Sequence, residues 1–320
     1  MTIREAARLL AGLDCIYLLT HQRPDGDTLG SAAGLCAGLR ALGKTAFVLP
    51  NPDITPRYRP YAAPYLADSQ APPEGAVLVS VDVAAPTLLP PGYRPLAGEV
   101  TLSVDHHPTN PRFARNNLVM PGRAATGEII FSLLRALGVP LSRDIALPLY
   151  LAVSTDTGCF RYTNTTAFTH RVAAALLATG IDCDALHTEM FESKSRARLK
   201  VEALLIDNMA FYQNGAVALG CLTAAELTAL GAAEDDVDNI SALSRQIEGV
   251  EIGAVLREVS ASVCKLSVRT STKWEANRLC ALLGGGGHER AAGAKVPGGM
   301  ETAKQAVLQA FKTYLGVDEL

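Results

Sequence analysis

The chain has 320 residues, of which 48% are hydrophobic and 19% charged, and a formal net charge of −3. That is enough apolar material for one or two full cores, with two domains favoured, and too little positive charge to coat long duplex nucleic acid; short anionic substrates stay open. No run of about 18 apolar residues is available to cross a membrane, and Met1-Thr2-Ile3-Arg4-Glu5 lacks a signal-peptide core, so the expectation is a soluble cytoplasmic protein.

Residues 1–13 read as a short amphipathic helix. Residues 15–19 are apolar and β-prone and stop abruptly at Thr20-His21-Gln22-Arg23-Pro24-Asp25-Gly26-Asp27. A strand tip there carries an imidazole and two carboxylates on a turn made by Pro and Gly. Residues 30–42 follow as a helix rich in Ala and Gly, whose small side chains suit close packing. Residues 45–49 are a second strand, and the proline-rich stretch 50–64 is loop with a short helix. A buried-strand pattern at 76–81 ends in Asp82, and another at 100–104 runs into Asp105-His106-His107. Between them 84–95 is a second proline-rich loop, and 108–115 is polar and irregular, as a substrate-facing loop would be. Helical periodicity covers 124–137 and 143–154, and a fourth ligand-bearing tip is expected where Ala152-Val153-Ser154-Thr155 reaches Asp156-Thr157-Gly158. Helices at 166–179 and 184–191 close a first α/β domain with a mostly parallel sheet, residues 1–191.

The charged stretch 192–205, free of Gly and Pro, predicts a helical linker. Beyond it, 206–320 reads as a smaller α/β domain. Strands at 209–212 and 216–222 flank the Asn214-Gly215 turn signal, strands at 253–259 and 263–270 form a second pair, and helices cover 223–230, 238–247 and 302–315. Glu234-Asp235-Asp236 is a solvated helix entry. Gly284-Gly285-Gly286-Gly287-His288-Glu289-Arg290 is read as a helix start whose bare N–H groups face an anion or a nucleoside, with Arg269 and Arg257 on the preceding strands adding charge. The seven cysteines contain no C-x-x-C pair and read as reduced, mostly buried thiols, with Cys159 the one near a ligand tip.

If the four tips converge, His21, Asp25, Asp27, Asp82, His106 and Asp156 supply six nitrogen and oxygen ligands. That suffices for two divalent ions with one carboxylate bridging, at the strand ends where open α/β sheets bind ligands. A lone Asp after a strand is usually a helix cap and a lone His usually a satisfied surface or core residue; six such residues after four apolar runs are poorly explained that way. His170 and His187 stay outside the site, and Arg161, following the Asp156 tip, is taken to reach substrate.

Taken together, His21-x-x-Pro24-Asp25-x-Asp27-x-x-Gly30-Ser31, Asp82, Asp105-His106-His107, Asp156-Thr157-Gly158 and Gly284-Gly285-Gly286-Gly287-His288 resemble the DHH/DHHA1 phosphoesterases over nearly the whole chain, and among them the nanoRNase and pAp-phosphatase branch. The resemblance implies a DHH domain joined to a DHHA1 domain, two Mn²⁺ per chain, and hydrolysis of short oligoribonucleotides and nucleoside 3′,5′-bisphosphate by hydroxide activated between the ions. It assigns one ion to His21, Asp25 and Asp82 and the other to Asp27, Asp82, His106 and Asp156. His107 would face the scissile phosphate with Asp105 orienting an imidazole, and Arg123 with Thr126 would act near that phosphate. Arg269, Gly286, Gly287 and His288 would hold the terminal phosphate and nucleoside. Where the family often has Arg-Ser, this chain has Arg269-Thr270, which keeps the hydroxyl. No membrane partner is implied, and a homodimer is left open.

Four other readings make different demands on the sequence. Cyclic or linear dinucleotides such as cyclic di-AMP are alternative substrates within the family. A haloacid-dehalogenase phosphatase would place Asp25-Gly26-Asp27-Thr28 directly after its strand, without Gln22-Arg23-Pro24 between. A manganese pyrophosphatase would carry an Arg-Lys-Lys cluster in its second domain. A nucleotide-binding regulator without catalysis would lack a metal ligand, and all six are present here.

Overall fold

A computed structural model describes residues 1–320. The chain divides into two compact units, Met1–Ser193 and Lys194–Leu320. No helix is long and apolar enough to cross a membrane.

The first unit runs α1 (Ile3–Ala11), β1 (Ile16–Leu19), α2 (Gly26–Ala41), β2 (Ala46–Val48), α3 (Arg59–Ala62), β3 (Val77–Val81), β4 (Leu102–Asp105), β5 (Asn116–Val119), α4 (Thr126–Ala136), α5 (Arg143–Asp156), α6 (Ala167–Leu177) and α7 (Cys183–His187). Five parallel strands lie in the order β2-β1-β3-β4-β5. The chain steps from β1 outward to β2 and returns to β3 on the other side, so the carboxyl ends of β1 and β3 border a crevice where connections leave in opposite directions, the usual ligand position of such sheets. Leu18, Val79, Val81, Leu102, Val104 and Leu118 of the strands are fully buried with Leu35, Leu39, Ile129, Leu133 and Leu149 of the helices.

One packing contact fixes the geometry of the site. Helix α2 carries Gly26, Gly30, Gly34 and Gly38 at a spacing of four, a single bare stripe down one face. A Cβ at Gly26 would lie 2.4 Å from the Thr155 hydroxyl, one at Gly30 would lie 2.3 Å from the Pro148 carbonyl oxygen and 2.8 Å from the Ala152 nitrogen, and one at Gly34 would strike the Leu149 side chain. The order of these partners makes α2 and α5 antiparallel, backbone against backbone. The last residue of α5, Asp156, is thereby brought beside the first turn of α2, where Asp25 caps the helix and Asp27 follows.

Three local readings are corrected. Asp156 ends a helix, not a strand: Val153, Ser154 and Thr155 look β-prone but continue α5, with Thr155 and Ser154 hydroxyls turned back to the Leu151 carbonyl. Helix α2 begins at Gly26, four residues before the expected 30, because Asp25 accepts the Thr28 N–H at 3.0 Å. Strand β5 was not foreseen; its Asn116-Asn117 start is polar, and Asn116 Nδ2 donates to the Thr101 carbonyl.

The second unit holds α8 (Arg196–Asp207), β6 (Ala210–Tyr212), β7 (Val217–Leu222), α9 (Ala224–Ala229), β8 (Ile252–Ser260), β9 (Val263–Thr270), α10 (Ala276–Ala281), β10 (Gly286–Gly287), β11 (Ala291–Pro297) and α11 (Met300–Leu315). Its six strands run in the order β10-β11-β9-β8-β7-β6, all neighbours antiparallel except β7 and β8. Both faces are covered, which follows from strand alternation: Leu219, Leu256, Leu266 and Val268 face α10 and α11, while Ala218, Leu222 and Val255 meet α8 and α9. Helix α8, expected within a linker, buries Val201 and Leu205 in that second cluster. The stretch expected as a helix at 238–247 forms 3₁₀ turns over Ile240–Gln246.

The Gly30 contact is rigid on both sides and the Gly34 contact is not. Gly30→Ala should lose about 2 kcal/mol net of its gain in helix propensity, a fall of roughly 5 °C in melting temperature for a unit of this size. Gly34→Ala, facing a side chain that can rotate, should lose less than half of that; calorimetry of the two variants checks the order.

Candidate metal centre

Most of the candidate ligands arise where strands end. His21 follows β1, Asp82 directly follows β3, and His106 and His107 directly follow β4. Asp82 lies at φ +59°, a left-handed conformation that non-glycine residues adopt at a cost and that here turns its carboxylate away from the strand line. Asp27 comes from the first turn of α2 and Asp156 from the last of α5.

These side chains converge without bonding one another. His21 Nε2 is 3.8 Å from Asp25 Oδ1 and 3.9 Å from Asp82 Oδ2. His106 Nε2 is 3.7 Å from Asp82 Oδ1, 3.8 Å from Asp27 Oδ2 and 3.6 Å from Asp156 Oδ2. Such separations are too long for hydrogen bonds, and they match donors arranged around a shared cation at ligand distances of about 2 Å. His21, Asp25 and Asp82 form one donor group, Asp27, His106 and Asp156 another, and Asp82, His106 and His107 a third that overlaps both. Asp82 turns one oxygen to each of the first two.

The outer contacts fix how the donors point. His21 Nδ1 lies 2.8 Å from the Gln22 carbonyl, and His106 Nδ1 lies 3.1 Å from the Arg123 carbonyl. A carbonyl can only accept, so both rings carry their proton on Nδ1 and present the Nε2 lone pair inward. Asp27 is held at the amino end of α4, its oxygens accepting Thr126 N–H at 2.7 Å, Gly127 N–H at 3.0 Å and the Ser31 hydroxyl at 2.9 Å. The Asp82 oxygens accept the hydroxyls of Thr28 and Thr126.

His107 is arranged differently. Its Nδ1 is 2.7 Å from Asp105 Oδ1, while Asp105 also accepts Asn110 Nδ2 at 2.6 Å and the His106 N–H at 2.8 Å. Burial alone would push Asp105 up, but the bonds from His107 and Asn110 hold it below its ordinary value. Burial likewise pulls His107 down, and the Asp105 bond with the Asp82 and Asp156 fields outweighs it, raising His107 to about 9. Burial, then the neighbouring Asp82, Asp156 and Asp25, push Asp27 up, and burial raises Asp156 to about 7. Carboxylates so crowded resist ionising together, which a divalent cation relieves. The residues therefore fit a cation site by their chemistry as well as their spacing.

The remaining expected residues are more dispersed. The Arg123 guanidinium sits 3.7 Å over the Phe168 ring and 3.9 Å from buried Glu128. Thr126 is fully buried and spends its amide and hydroxyl on Asp27 and Asp82. Arg161 donates to the Gly158 carbonyl, Arg257 is bidentate to Glu234, and Arg269 donates to Asn239 Oδ1 at 2.8 Å. The glycine run does not start a helix, contrary to expectation. Gly286 and Gly287 pair as an edge strand with Gly293 and Ala292, because a Cβ at Gly285 or Gly287 would collide with the β11 backbone, and His288 closes the turn through its N–H to the Ala291 carbonyl. Burial pushes the Cys159 thiol up, the wrong direction for a nucleophile. Sequence reading missed Thr28, Ser31, Asn110 and Glu128 as site-supporting residues; the only hint was their nearness to the ligands.

A parallel α/β sheet with imidazoles and carboxylates gathered at its carboxyl edge, followed by a second α/β unit, has the donor set of a divalent-cation site at the position where such sheets bind ligands. Residues 15–153 match the model of the DHH family, N-terminal domain, and residues 220–316 that of the DHHA1 domain. The chain is 36% identical over 301 residues to the bifunctional oligoribonuclease and PAP phosphatase NrnA of Thermus thermophilus, covering 94% of this chain and 90% of that one. It is 25% identical to the protein of the same description from Bacillus subtilis, over 91% and 92% of the two chains. A crystal structure of an exopolyphosphatase-related protein from Bacteroides fragilis superposes with a TM-score of 0.88 at 27% identity, covering 98% of this chain and 96% of that one. This chain belongs to the DHH/DHHA1 phosphoesterases.

The raised groups set a pH dependence. Asp156, about 7 folded, binds more protons in the native state than unfolded from about pH 4 upward, and His107, about 9 folded, does so above its ordinary 6.5. Both contributions to stability are present at low pH within these windows and are lost as pH rises through the folded values. The EDTA-treated protein should therefore melt at progressively lower temperature from pH 6 to 9, while the gain in melting temperature on adding a divalent cation grows with pH. A melting series at four pH values with and without cation checks both slopes.

Proposed function

We propose that this chain is a manganese-dependent phosphoesterase that hydrolyses short oligoribonucleotides and nucleoside 3′,5′-bisphosphate, with two ions held by the convergent donors. One is assigned to His21, Asp25 and Asp82 Oδ2, the other to Asp27, Asp82 Oδ1, His106 and Asp156. The observation that carries this reading is the divided carboxylate of Asp82, whose two oxygens lie 3.9 Å and 3.7 Å from imidazole nitrogens of different donor groups. Imidazole mixed with carboxylate favours manganese over magnesium. Bound divalent ions would neutralise the phosphate charge and acidify water for attack.

The chain's own groups supply the rest. Arg123 offers positive charge for the equatorial phosphate oxygens. His107, tied to Asp105 through Nδ1, is assigned to pass a proton to the leaving sugar oxygen. Arg269, Gly286, Gly287 and His288 of the second unit are assigned to the terminal phosphate and nucleoside, with Arg257 of that unit and Arg161 of the first as lesser contacts; binding energy remote from the reacting bond would position that bond. The substrate class is supported by the relatives described as oligoribonuclease and PAP phosphatase, one of them 36% identical over 94% of this chain. The cytoplasm, where thiols stay reduced, is the compartment proposed.

With manganese and a panel of pAp, dinucleotide, five-mer, longer RNA, cyclic di-AMP and pyrophosphate, kcat/KM should rank the first three highest. Cyclic di-AMP at the head would make the enzyme a cyclic dinucleotide phosphodiesterase, and no turnover with ions bound would make it a nucleotide-binding regulator. Asp82→Asn should lower kcat/KM by roughly 100-fold or more, since both donor groups lose a charged ligand; wild-type turnover would sink the two-ion assignment. The pair Arg269→Ala and His288→Ala should lose far more on a dinucleotide than on bis(p-nitrophenyl) phosphate, and equal losses would remove the second unit from substrate selection.

A further inference from the structure

The Asp82 carboxylate is bracketed by two hydroxyls. Thr28 Oγ1, from the first turn of α2, donates to Oδ2 at 2.7 Å, and Thr126 Oγ1, from the first residue of α4, donates to Oδ1 at 2.8 Å. Both threonines are fully buried and Asp82 is 2% exposed, so no water competes for these bonds. The Asp82 backbone is anchored by its N–H to the Val104 carbonyl at 2.9 Å, and its left-handed φ of +59° removes the strand's own control over where the side chain points. What fixes the plane of the carboxylate is the pair of threonines.

Each carboxylate oxygen has about two acceptor directions. One direction on each is spent on a threonine, and one on each remains. Oδ2 turns its remaining side to His21 and Oδ1 to His106, with His107 Nδ1, already bonded to Asp105, equally near at 3.7 Å. A bridge through a single oxygen needs both directions of that oxygen and is incompatible with its threonine bond. We propose that Thr28 and Thr126 are positioning residues that divide Asp82 between two cations, one per oxygen. This rests on the two-ion reading above. It also gives Thr126 a role facing the carboxylate instead of the substrate.

The test separates the hydroxyl from the shape of the side chain. Thr28→Val and Thr126→Val keep the branched volume and remove the donor; Thr28→Ser and Thr126→Ser keep the donor. Manganese uptake is measured by equilibrium dialysis with elemental analysis, and pairing of the ions by the exchange-coupled electron paramagnetic resonance signal, with melting of the metal-free proteins as the folding control. Wild type should take up two ions with a coupled signal. Each Val variant should bind at least one ion roughly 10–100-fold more weakly, the double variant should lose the coupled signal, and both Ser variants should stay close to wild type. Val variants with wild-type affinity and coupling would overturn the proposal while leaving two ions in place. Ser variants as impaired as Val would also overturn it, because packing would then be the cause. Wild type taking up fewer than two ions would overturn the two-ion reading and this division with it.

Discussion

Repulsion among carboxylates is the constraint around which the first unit is built. Asp25, Asp27, Asp82 and Asp156 point at a common space beside two imidazoles, and Asp27 and Asp82 are only 2% exposed. Water screens them poorly, and burial with the neighbouring carboxylates raises the cost of ionising Asp27 and Asp156. The fold answers with donors: helix-end amides and Ser31 on Asp27, two threonine hydroxyls on Asp82, the Thr28 amide on Asp25. These neutral donors spread the charge without cancelling it. The remaining imbalance is what a divalent cation removes, and it ties the integrity of the site to the ion.

Convergence also needs a frame that holds the donors against their repulsion. Three come from adjacent parallel strands, whose hydrogen-bonded register places the tips of β1, β3 and β4 side by side. Asp156 has no such tether. It is held by the close approach of α5 to α2, which the glycines at 26, 30 and 34 permit and which a side chain at 30, facing the α5 backbone, would force apart. The helix that supplies Asp27 thus also determines where Asp156 sits.

This explains what could be read from residues alone. An apolar run ending in Asp or His is visible at 15–21, 76–82 and 100–107, because strand burial and the ligand that follows are both local properties. Asp156 was visible as a member of the donor cluster but not as a helix end, since Val153-Ser154-Thr155 satisfies a strand pattern as well as a helical one and only packing decides. The spacing of four in Gly26, Gly30, Gly34 and Gly38 was the sign of a helix beginning at 26 and pressed against another. In the second unit the glycine run was legible as a special backbone, yet its purpose was not. At Gly285 the missing Cβ makes room for Gly293 and Ala294 of β11, and at Gly287 for Ala291 and Ala292, contacts that the glycine run by itself does not announce.

The short loop before α4 joins functions that the strand tips keep apart. The Arg123 carbonyl accepts the His106 ring proton at Nδ1, so the same peptide that carries the guanidinium also sets a donor imidazole. Its neighbour Ala124 gives its N–H to Glu128, and its carbonyl accepts Asn164 Nδ2, which also reaches the Asp156 carbonyl. Glu128 in turn accepts the Thr169 hydroxyl at 2.5 Å, pinning the start of α6 to the start of α4. Arg123, His106 and Asp156 are therefore not independent positions. A change that frees this loop moves the Arg123 guanidinium and two donors of the convergent cluster together, so the effects of substitutions at Glu128, Asn164 and Arg123 cannot add as separate contributions. Rigidity is the physical requirement they share, because charges of one sign keep their places only when every alternative direction is already taken.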